Sequence, residues 1–217
     1  MSSNAEYKDE KKEGLHESES EPKKLDFRVQ RTYGFLTKAL VDLLKKKDFS
    51  EITVNELCEK ALIRRATFYK HFTDKLELFK FVVNRNFDFF GKSHKFKYDR
   101  ENPGTFYPEI VNYILSFAEE NKAVLRSIFS GSAAAQLTSI MLETTEHHIC
   151  KHLKQDIENG AREIARPELL AAMMSGAIVY MANRWVKSNI DVSKEEILNL
   201  CKFITNQFYT TEKPAIK

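Results

Sequence analysis

The sequence predicts an all-α protein of about nine helices, and three observations lead to this fold class. Only 7 Gly and 5 Pro occur among the 217 residues, which is too few for a fold rich in turns. Apolar residues recur along most of the chain at the three- and four-residue spacing of helices that bury one face. No segment alternates apolar and polar residues between turn signals, as a half-buried strand does. We therefore expect a tail at 1–26, a small helical domain at 27–90 and a larger helical domain at 91–212.

The N-terminal part of the chain contains two different kinds of segment. Residues 1–26 are polar, mixed in charge and nearly free of large apolar side chains. Such a segment cannot bury enough surface to offset the entropy lost on ordering, which predicts a disordered tail. The first helix is expected from Arg28 to Lys47, because apolar residues repeat there every three or four positions. It ends on three consecutive lysines, which suit the negative end of the helix dipole.

The next two helices are short and close together. Thr53 is followed three residues later by Glu56, the arrangement of a capping box, so a helix begins there and ends near Ala61. A third short helix is expected around Ala66–Phe72, and a fourth begins after Asp74. Two short helices that follow a longer amphipathic one, with about three residues between them, are typical of a helix-turn-helix.

The rest of the chain is also predicted to be helical. The fourth helix is expected to end near Gly91, before a loop at 92–105. Five further helices are predicted at Phe106–Glu120, Lys122–Ser130, Ala133–Asn159, Glu168–Ser188 and Glu195–Thr210. The helix at Glu168–Ser188 is apolar on nearly all sides, so it must be buried on two fronts. One front is its own domain and the other is a partner subunit, unless the helix lies wholly inside one core.

Positive charge is concentrated in the small domain. Between Arg28 and Lys75 there are 11 Lys and Arg against 6 Asp and Glu, although the net charge of the whole chain is only +3. A basic module on a slightly acidic body suits a polyanion that binds at one end of the molecule. Together with the helix-turn-helix arrangement, whose second helix enters the major groove, this predicts a sequence-specific DNA-binding protein.

Candidate DNA-contacting side chains lie on and beside the third helix. Duplex binding requires cations and hydrogen-bond donors aimed at phosphates, and side chains that reach base edges. The candidates are Thr53, Arg64, Arg65, Thr67, Tyr69, Lys70, His71 and Lys75. Arg65 is the best candidate for a bidentate contact to guanine, worth about 1–3 kcal/mol of discrimination. The alternative is a solvated basic helix face with a partly buried tyrosine.

The remaining features of this region belong to its core and to one helix terminus. The N-terminus of the second helix, capped by Thr53, offers backbone N–H groups and a positive dipole to a phosphate. The small core of the domain is assigned to Ala61, Ile63, Phe68 and Phe72.

The stretch from Thr53 to Phe79 resembles the DNA-binding domain of the tetracycline-repressor (TetR) family. The matching pieces are Ile52-Thr53, Ala61-x-Ile63, the run Ala66–Phe72, and Lys75 with Leu78. Two positions depart from the family pattern. Leu62 stands where the family usually has Gly, and Arg64 stands where it often has Ser or Thr, so the third helix lacks its usual cap. The resemblance covers roughly residues 28–80.

The resemblance implies a transcriptional regulator, and in particular a repressor that a small molecule releases from a near-palindromic operator. It implies that Tyr69 and Lys75 contact the DNA backbone, and that the last two helices pair with those of a second subunit in a homodimer. It also implies a ligand pocket among helices four to eight. The candidate lining residues, each of which could instead be ordinary core, are Phe87, Tyr113, Phe117, Met141, Thr144, His148 and Met174.

Cysteine usage and hydropathy indicate the cell compartment. Three cysteines, none of them in a CxxC pair, are typical of reduced thiols in a cytoplasmic protein. The first two dozen residues are charged, unlike a signal peptide, and no stretch approaches the ~18–20 apolar residues needed to cross a bilayer. We therefore expect a protein that binds no membrane.

Catalytic and metal-binding chemistry are the main alternatives to DNA binding. We find no nucleophile motif, glycine-rich phosphate loop or paired-carboxylate signature, so we expect neither an enzyme nor a cofactor. His148 and His152, with Cys150 between them, could hold zinc from one helix face, but no third ligand is evident and no metal site is predicted. A metal-binding helical protein, and an interaction module that has lost DNA binding, stay open as alternative functions.

Overall fold

The computed structural model describes residues 27–93, 106–160, 163, 165–187 and 192–210, and these form nine α-helices. In chain order the helices are α1 (Phe27–Leu44), α2 (Val54–Ala61), α3 (Arg65–Tyr69), α4 (Lys75–Ser93), α5 (Phe106–Glu120), α6 (Lys122–Ser130), α7 (Ala134–Glu158), α8 (Pro167–Val186) and α9 (Lys194–Thr210). A 3-10 turn at Phe49–Glu51 joins α1 to α2. The predicted all-α class is confirmed, with no strand in the described ranges. The expected tail and most of the expected loop at 92–105 lie outside them.

α1 ends three residues before the predicted position, because the chain turns there to bury Phe49. The amides of Lys46 and Lys47 both donate to the carbonyl of Leu43, at 2.9 and 3.1 Å, which tightens the last turn. Phe49 is 2% exposed, and its ring centroid lies 5.7 Å from that of Phe79. The connector after α1 therefore contributes to the core through Phe49.

One continuous cluster of buried side chains runs from the N-terminal helices into the C-terminal ones. α1 contributes Leu40 to it, α4 contributes Phe79, and α6 and α8 contribute Leu125 and Val179. This cluster crosses the domain boundary predicted at residue 90, which falls within α4. The helix-turn-helix (hereafter the head, α1–α4) and the remaining helices (the body, α5–α9) therefore share one core.

A polar contact also joins the head to the body. Ser127 Oγ on α6 donates to the backbone carbonyl of Lys47 at 2.9 Å. Next to it, a Cβ added to Gly131 would lie 3.2 Å from Asp48 Cγ and 3.2 Å from the carbonyl oxygen of Ser127. Glycine therefore allows the end of α6 to approach the connector closely.

α8 is long and apolar enough, by length and composition, to cross a membrane, which corrects the expectation that no segment approaches that length. One such helix is weak evidence for a membrane span, because the core helix of a soluble protein has the same properties. One face of α8, which includes Ala171, Ser175 and Val179, is buried against the rest of the chain. On other faces Met173 and Tyr180 are 66% and 59% exposed. Within a single chain, α8 is therefore buried on one side, whereas the sequence predicts burial on two.

Candidate nucleic-acid interface

The capping box predicted at the start of α2 is present. The amide of Glu56 donates to Thr53 Oγ1 at 3.2 Å, and the amide of Thr53 donates to Glu56 Oε2 at 2.9 Å. The hydroxyl of Thr53 donates to the same carboxylate oxygen at 3.0 Å. Hydrogen bonds from the ammonium of Lys47 and then from Thr53 lower the pKa of Glu56 to about 2.

The capping box engages both polar groups of Thr53 that could meet a phosphate. Its hydroxyl and its amide are both engaged by Glu56, and a carboxylate that stays charged at neutral pH lies at the same helix terminus. A fixed negative charge opposes the approach of a phosphate to that terminus. The geometry therefore gives Thr53 a positioning role at the start of α2, and its predicted phosphate contact stays a prediction.

Lys75 lies at the first position of α4 and its ammonium is directed into the head. Its predicted contact with the DNA backbone stays a prediction. Its Nζ donates to the carbonyl oxygens of Phe49, Ser50 and Ile52 at 2.8, 3.0 and 2.7 Å. An ammonium has three N–H donors, so all of them are used. The ring centroid of Phe49 lies 4.8 Å from Nζ, and desolvation lowers the pKa of Lys75. Lys75 therefore ties α4 to the connector that precedes α2.

The turn between α2 and α3 passes through Leu62. This residue has the left-handed backbone angles φ 54° and ψ 43°, and it is the single non-glycine residue with positive φ in the part of the chain that the structure describes. Its amide donates to the carbonyl of Glu59 at 3.2 Å, and the amide of Ile63 donates to that of Cys58 at 3.0 Å. Leucine thus adopts the conformation that glycine most often provides at the end of a helix.

The basic side of α3 faces solvent. Arg64, Arg65 and Lys70 are exposed, and none of them forms an ion pair with a carboxylate among the described residues. The guanidinium carbon of Arg65 lies 5.8 Å from the ring centroid of Tyr69, which is 50% exposed. Arg64 occupies the N-cap position without a side-chain cap, as the departure from the family pattern predicts. The tip of α3 therefore carries unpaired positive charge next to an accessible aromatic ring.

The opposite side of α3 belongs to the core of the head. Phe68 is fully buried and Phe72 is 4% exposed. Ala61 lies in the same cluster, and Ile63 packs against it. The core assignment made for these four residues from the sequence is confirmed. Their burial fixes the direction in which the basic side of α3 points.

Two of the predicted DNA-contacting residues lie between the buried and exposed sides of α3. Thr67 and His71 are both half-buried. The ring of His71 meets that of Tyr33 edge-on, with 5.2 Å between centroids, so His71 also helps to join α3 to α1.

A cavity of about 150 Å³ lies in the body and is walled on one side by α1 and α4. Of the seven residues predicted to line a pocket, five surround this cavity: Phe87, Tyr113, Phe117, Met141 and His148. Met174 does not line it and packs instead against the small buried cluster of Ile149, Leu153 and Ala171. Thr144 does not line it either, and the neighbouring Thr145 takes its place.

Two histidines contribute polar atoms to the cavity wall. The ring of His148 stacks on that of Phe87, with 4.8 Å between centroids and 13° between planes, and its Nε2 lies 3.2 Å from Asn84 Oδ1. Burial lowers the pKa of His148 and of His152, which favours the uncharged form of both rings. Around them, no group of three side chains suited to bind a metal occurs within the described ranges.

The last two helices carry large apolar side chains that the chain leaves uncovered. These are Leu169, Met173 and Tyr180 on α8 and Leu200, Phe203 and Ile204 on α9, each at least 44% exposed. Scattered single apolar residues are normal on a surface, whereas six of this size on two helices are typical of a surface that another protein covers.

Asp156, near the end of α7, is a feature that the sequence analysis missed. The residue is 8% exposed, its Oδ2 has no hydrogen-bond partner in the described part of the chain, and burial raises its pKa to about 6. No local pattern in the sequence marks this carboxyl group, because the helical spacing around it fits an exposed position equally well.

A capped helix, a tight turn and a short exposed basic helix held on a helical body define a helix-turn-helix DNA-binding protein. Comparison with known proteins identifies the family. A model described as "Bacterial regulatory proteins, tetR family" matches residues 36–82, and the TetR_C_8 model, described as "Transcriptional regulator C-terminal region", matches residues 107–207. The chain belongs to the TetR family of DNA-binding transcriptional regulators, a family whose members are not enzymes.

Individual relatives agree with this assignment. The chain is 44% identical over 65 residues to the uncharacterized HTH-type transcriptional regulator YxbF of Bacillus subtilis (strain 168), a match that covers 30% of this chain and 17% of that protein. It is 30% identical over 91 residues to an HTH-type transcriptional regulator of Staphylococcus aureus (strain USA300), covering 42% and 49%. The match thus spans less than half of each relative.

Solved structures share the fold. One is similar to this chain with a TM-score of 0.60 and 13% sequence identity, covering 87% of this chain and all of the other. It is a putative TetR-family transcriptional regulator from Syntrophomonas wolfei.

Proposed function

We propose that the protein is a cytoplasmic repressor that binds a near-palindromic operator as a homodimer and leaves it when a small molecule binds in the body. The observation that carries this proposal is the double role of α4. At its start, Lys75 is bonded to three carbonyl groups of the head, and further along Phe79, Val83 and Phe87 form part of the cavity wall. A ligand that displaces α4 would therefore move the DNA-reading helix.

The exposed side of α3 is the proposed DNA-reading surface. Arg64, Arg65 and Lys70 supply unpaired positive charge, and the exposed ring of Tyr69 lies beside Arg65. Arg65, in the first turn of α3, is the residue we assign to a bidentate guanine contact, because recognition helices reach base edges from their N-terminal residues. The others contact phosphates, which positions the helix without reading the sequence.

Two more of the predicted residues complete this surface. Thr67 and His71, both half-buried, lie at its edge, where each can donate to a phosphate. Thr53, at the exposed start of α2, and Lys75, whose ammonium is part-buried, hold α2 and the connector in place. Their removal would weaken DNA binding indirectly, through the position of α3.

The uncovered apolar side chains of α8 and α9 support the homodimer. A twofold-symmetric dimer buries the same patch on both subunits. It also presents two heads to a near-palindromic site, with half-sites about 34–36 Å apart on one face of the duplex. The patch and the heads therefore serve the same proposed complex.

Ligand release requires that the ligand prefer one of two arrangements of α4. Each tenfold loss of operator affinity needs about 1.4 kcal/mol of preference for the released arrangement. A dimer that covers its operator blocks transcription by occupying the site, and release restores transcription.

Three measurements on the full chain test the proposal. Sedimentation equilibrium should give a dimer. Duplexes selected from a random pool should bind with an affinity that falls steeply as salt increases. A reporter behind the selected site should be silenced when the protein is expressed. A monomer at all concentrations, a pool from which no sequence is enriched, or a reporter that is activated would each overturn the corresponding part.

A further inference from the structure

The cavity in the body defines the ligand more narrowly than the proposed function does. We infer that it takes an uncharged molecule about as large as one aromatic ring, with a hydrogen-bonding group that meets His148. This inference rests on the proposed function, since it names the ligand class of the same site. It follows from three properties of the cavity, which are its volume, the absence of charge in its described wall, and the chemistry of His148.

The volume sets the size of the ligand. The cavity measures about 150 Å³. An engineered protein cavity of about 150 Å³, lined by apolar side chains, binds benzene. A compound with one six-membered ring and a small substituent therefore fills this space, whereas a long acyl chain or a fused multi-ring compound exceeds it.

The wall excludes ions. Most of the described lining is aliphatic or aromatic, as in Leu40, Phe79, Val82 and Ile178, and none of the described lining residues is Asp, Glu, Lys or Arg. An ionised ligand would lose its hydration there without gaining a partner of opposite charge, which is strongly unfavourable. The lowered pKa values of the two lining histidines agree with this, because burial favours the uncharged form of both rings.

His148 supplies the specificity for a hydrogen-bonding group. Its Nε2 lies 3.2 Å from Asn84 Oδ1, an atom that can only accept, so Nε2 carries the proton. The other ring nitrogen of a neutral histidine, Nδ1, is then an acceptor for a ligand hydroxyl. The ring stacked on His148, Phe87, also lines the cavity, so an aromatic ligand meets an aromatic surface next to the acceptor.

Four probe compounds test the inference on the full-length dimer by thermal shift and calorimetry. Phenol is uncharged at pH 7 and carries one hydroxyl, benzene lacks the hydroxyl, benzoate is an anion of similar size, and dodecanol is much longer. We expect phenol to bind about fivefold more tightly than benzene, the factor that corresponds to one net hydrogen bond. Benzoate should bind at least tenfold more weakly than phenol, and dodecanol should not bind inside the cavity.

Two variants show whether binding occurs in this cavity. Ala118 is 1% exposed and lines it, so Ala118→Leu should fill the space and abolish the response to phenol and to benzene alike. His148→Phe keeps the ring and removes the acceptor, so benzene binding should persist while the advantage of phenol disappears. The second variant keeps the test decisive if the first does not fold.

Three results would overturn the inference. They are benzoate binding as tightly as phenol, tight binding of dodecanol alone, and no binding of any single-ring compound at millimolar concentration. Phenol that binds in the cavity and leaves the affinity for a selected duplex unchanged would instead overturn ligand release and leave the ligand class standing.

Leu62 carries a second, independent inference about DNA recognition. Its left-handed backbone is unfavourable for an L-residue with a side chain, and the side chain itself is 92% exposed. Neither property stabilises the folded monomer. The residue lies in the turn just before Arg64 and Arg65, so it belongs to the same end of the head as the proposed DNA-reading surface. We propose that Leu62 makes an apolar contact with a thymine methyl group, the one apolar feature of a base edge in the major groove.

Uracil substitution in a selected duplex tests this contact, because uracil lacks only the methyl group. For the unchanged protein, replacing one thymine by uracil should lower affinity about fourfold, the factor for one buried carbon. Leu62→Gly should bind the thymine and uracil duplexes equally, and should melt about 2–4 °C higher because glycine adopts the turn without strain. Two results would overturn the contact. One is that uracil substitution lowers the affinity of Leu62→Gly as much as that of the unchanged protein. The other is that Leu62→Gly binds the thymine duplex as tightly as the unchanged protein does.

Discussion

The head and the body differ in how completely their polar side chains are hydrogen-bonded. In the head, Lys75 has a carbonyl partner for each donor, and Glu56 is held by Thr53 and Lys47. In the body, Thr144 Oγ1, Asp156 Oδ2 and Asn183 Oδ1 are buried without a hydrogen-bond partner in the described residues, whereas the head has Thr37 Oγ1 alone in this state.

This difference matches the division of labour in the proposed function. A saturated network of hydrogen bonds favours one arrangement, which suits a part that must present the same side chains to DNA each time. Unsatisfied groups, a cavity and uncovered apolar faces leave the body able to gain contacts from a ligand or a second subunit. In the proposed function, the head therefore binds DNA in one fixed arrangement, and the body binds the ligand and the second subunit.

The largest effect is expected at the uncovered face of the body. Met173 on α8 is 66% exposed. In Met173→Glu a carboxylate would be buried without a partner in the dimer, so we expect the dimer dissociation constant to rise at least 100-fold, about 2.7 kcal/mol or more. Sedimentation equilibrium measures this change. Gln136→Glu, on an exposed position of α7, adds the same charge as a control, and a dimer that tolerates Met173→Glu would show that α8 is not the interface.

In the head, the hydrogen bonds of Lys75 should make a large contribution to stability. Lys75→Met keeps much of the aliphatic stem and removes the ammonium from three carbonyl oxygens. We expect a loss of about 2–4 kcal/mol in the free energy of unfolding, since hydrogen bonds to a charged group contribute about 1.5–3 kcal/mol each and part of this is recovered by solvation. Urea denaturation measures it. Lys80→Met, on the exposed side of α4, is the matched control, and equal stability of the two variants would contradict the account.

In the body, replacing the unsatisfied carboxyl group should stabilise the protein. Burial raises the pKa of Asp156 to about 6, so the folded state holds its proton to a higher pH than the unfolded state, where the pKa is 3.8. The stability present below pH 3.8 is therefore lost as pH rises through 6. Asp156→Asn should add about 3 kcal/mol at pH 7, since the pKa rises from 3.8 to about 6 and one pKa unit corresponds to about 1.4 kcal/mol, and should flatten the pH profile from 4 to 6. Glu158→Gln, an exposed neighbour, should change neither.

The smallest effect is expected at Glu56 in the head, and it has the opposite sign. The pKa of Glu56 is lowered from 4.5 to about 2, so its contribution to stability is present above pH 4.5 and is lost as pH falls toward 2. Glu56→Gln should slightly destabilise the protein at pH 7 and reduce the loss of stability between pH 4.5 and 2. Thermal melting across this range tests it, and a variant that is more stable at pH 7 would contradict the role of the cap.

The sequence predicts those parts of the head that depend on neighbouring residues. The capping box needs Thr53 and Glu56 only three positions apart, and the core side of α3 follows from the helical spacing of Phe68 and Phe72. The contacts of Lys75 cannot be predicted in this way. Its partners at Phe49–Ile52 are more than 20 residues away, and they are backbone atoms, which any sequence provides.

In the body, the sequence predicts the helices and only part of the cavity. Helix bounds there agree to within two residues, because glycine, proline and apolar spacing are local signals. Which side of α8 meets the cavity depends on how α8 packs against α7, so Met174 was assigned to the lining while Ile178 and Ala182 provide it. Asp156 was missed for the same reason.

The central claim is that the exposed side of α3 binds DNA, and the salt dependence of duplex binding tests it most directly. For a duplex selected from a random pool, log affinity falls linearly with log salt concentration, by about 0.9 for each phosphate that a cation neutralises. We predict that Arg64→Ala, Arg65→Ala and Lys70→Ala combined reduce this slope by about 2, because Arg64 and Lys70 are the two cations assigned to phosphates, while Lys80→Ala leaves it unchanged. A triple variant that keeps the slope of the unchanged protein would contradict the claim.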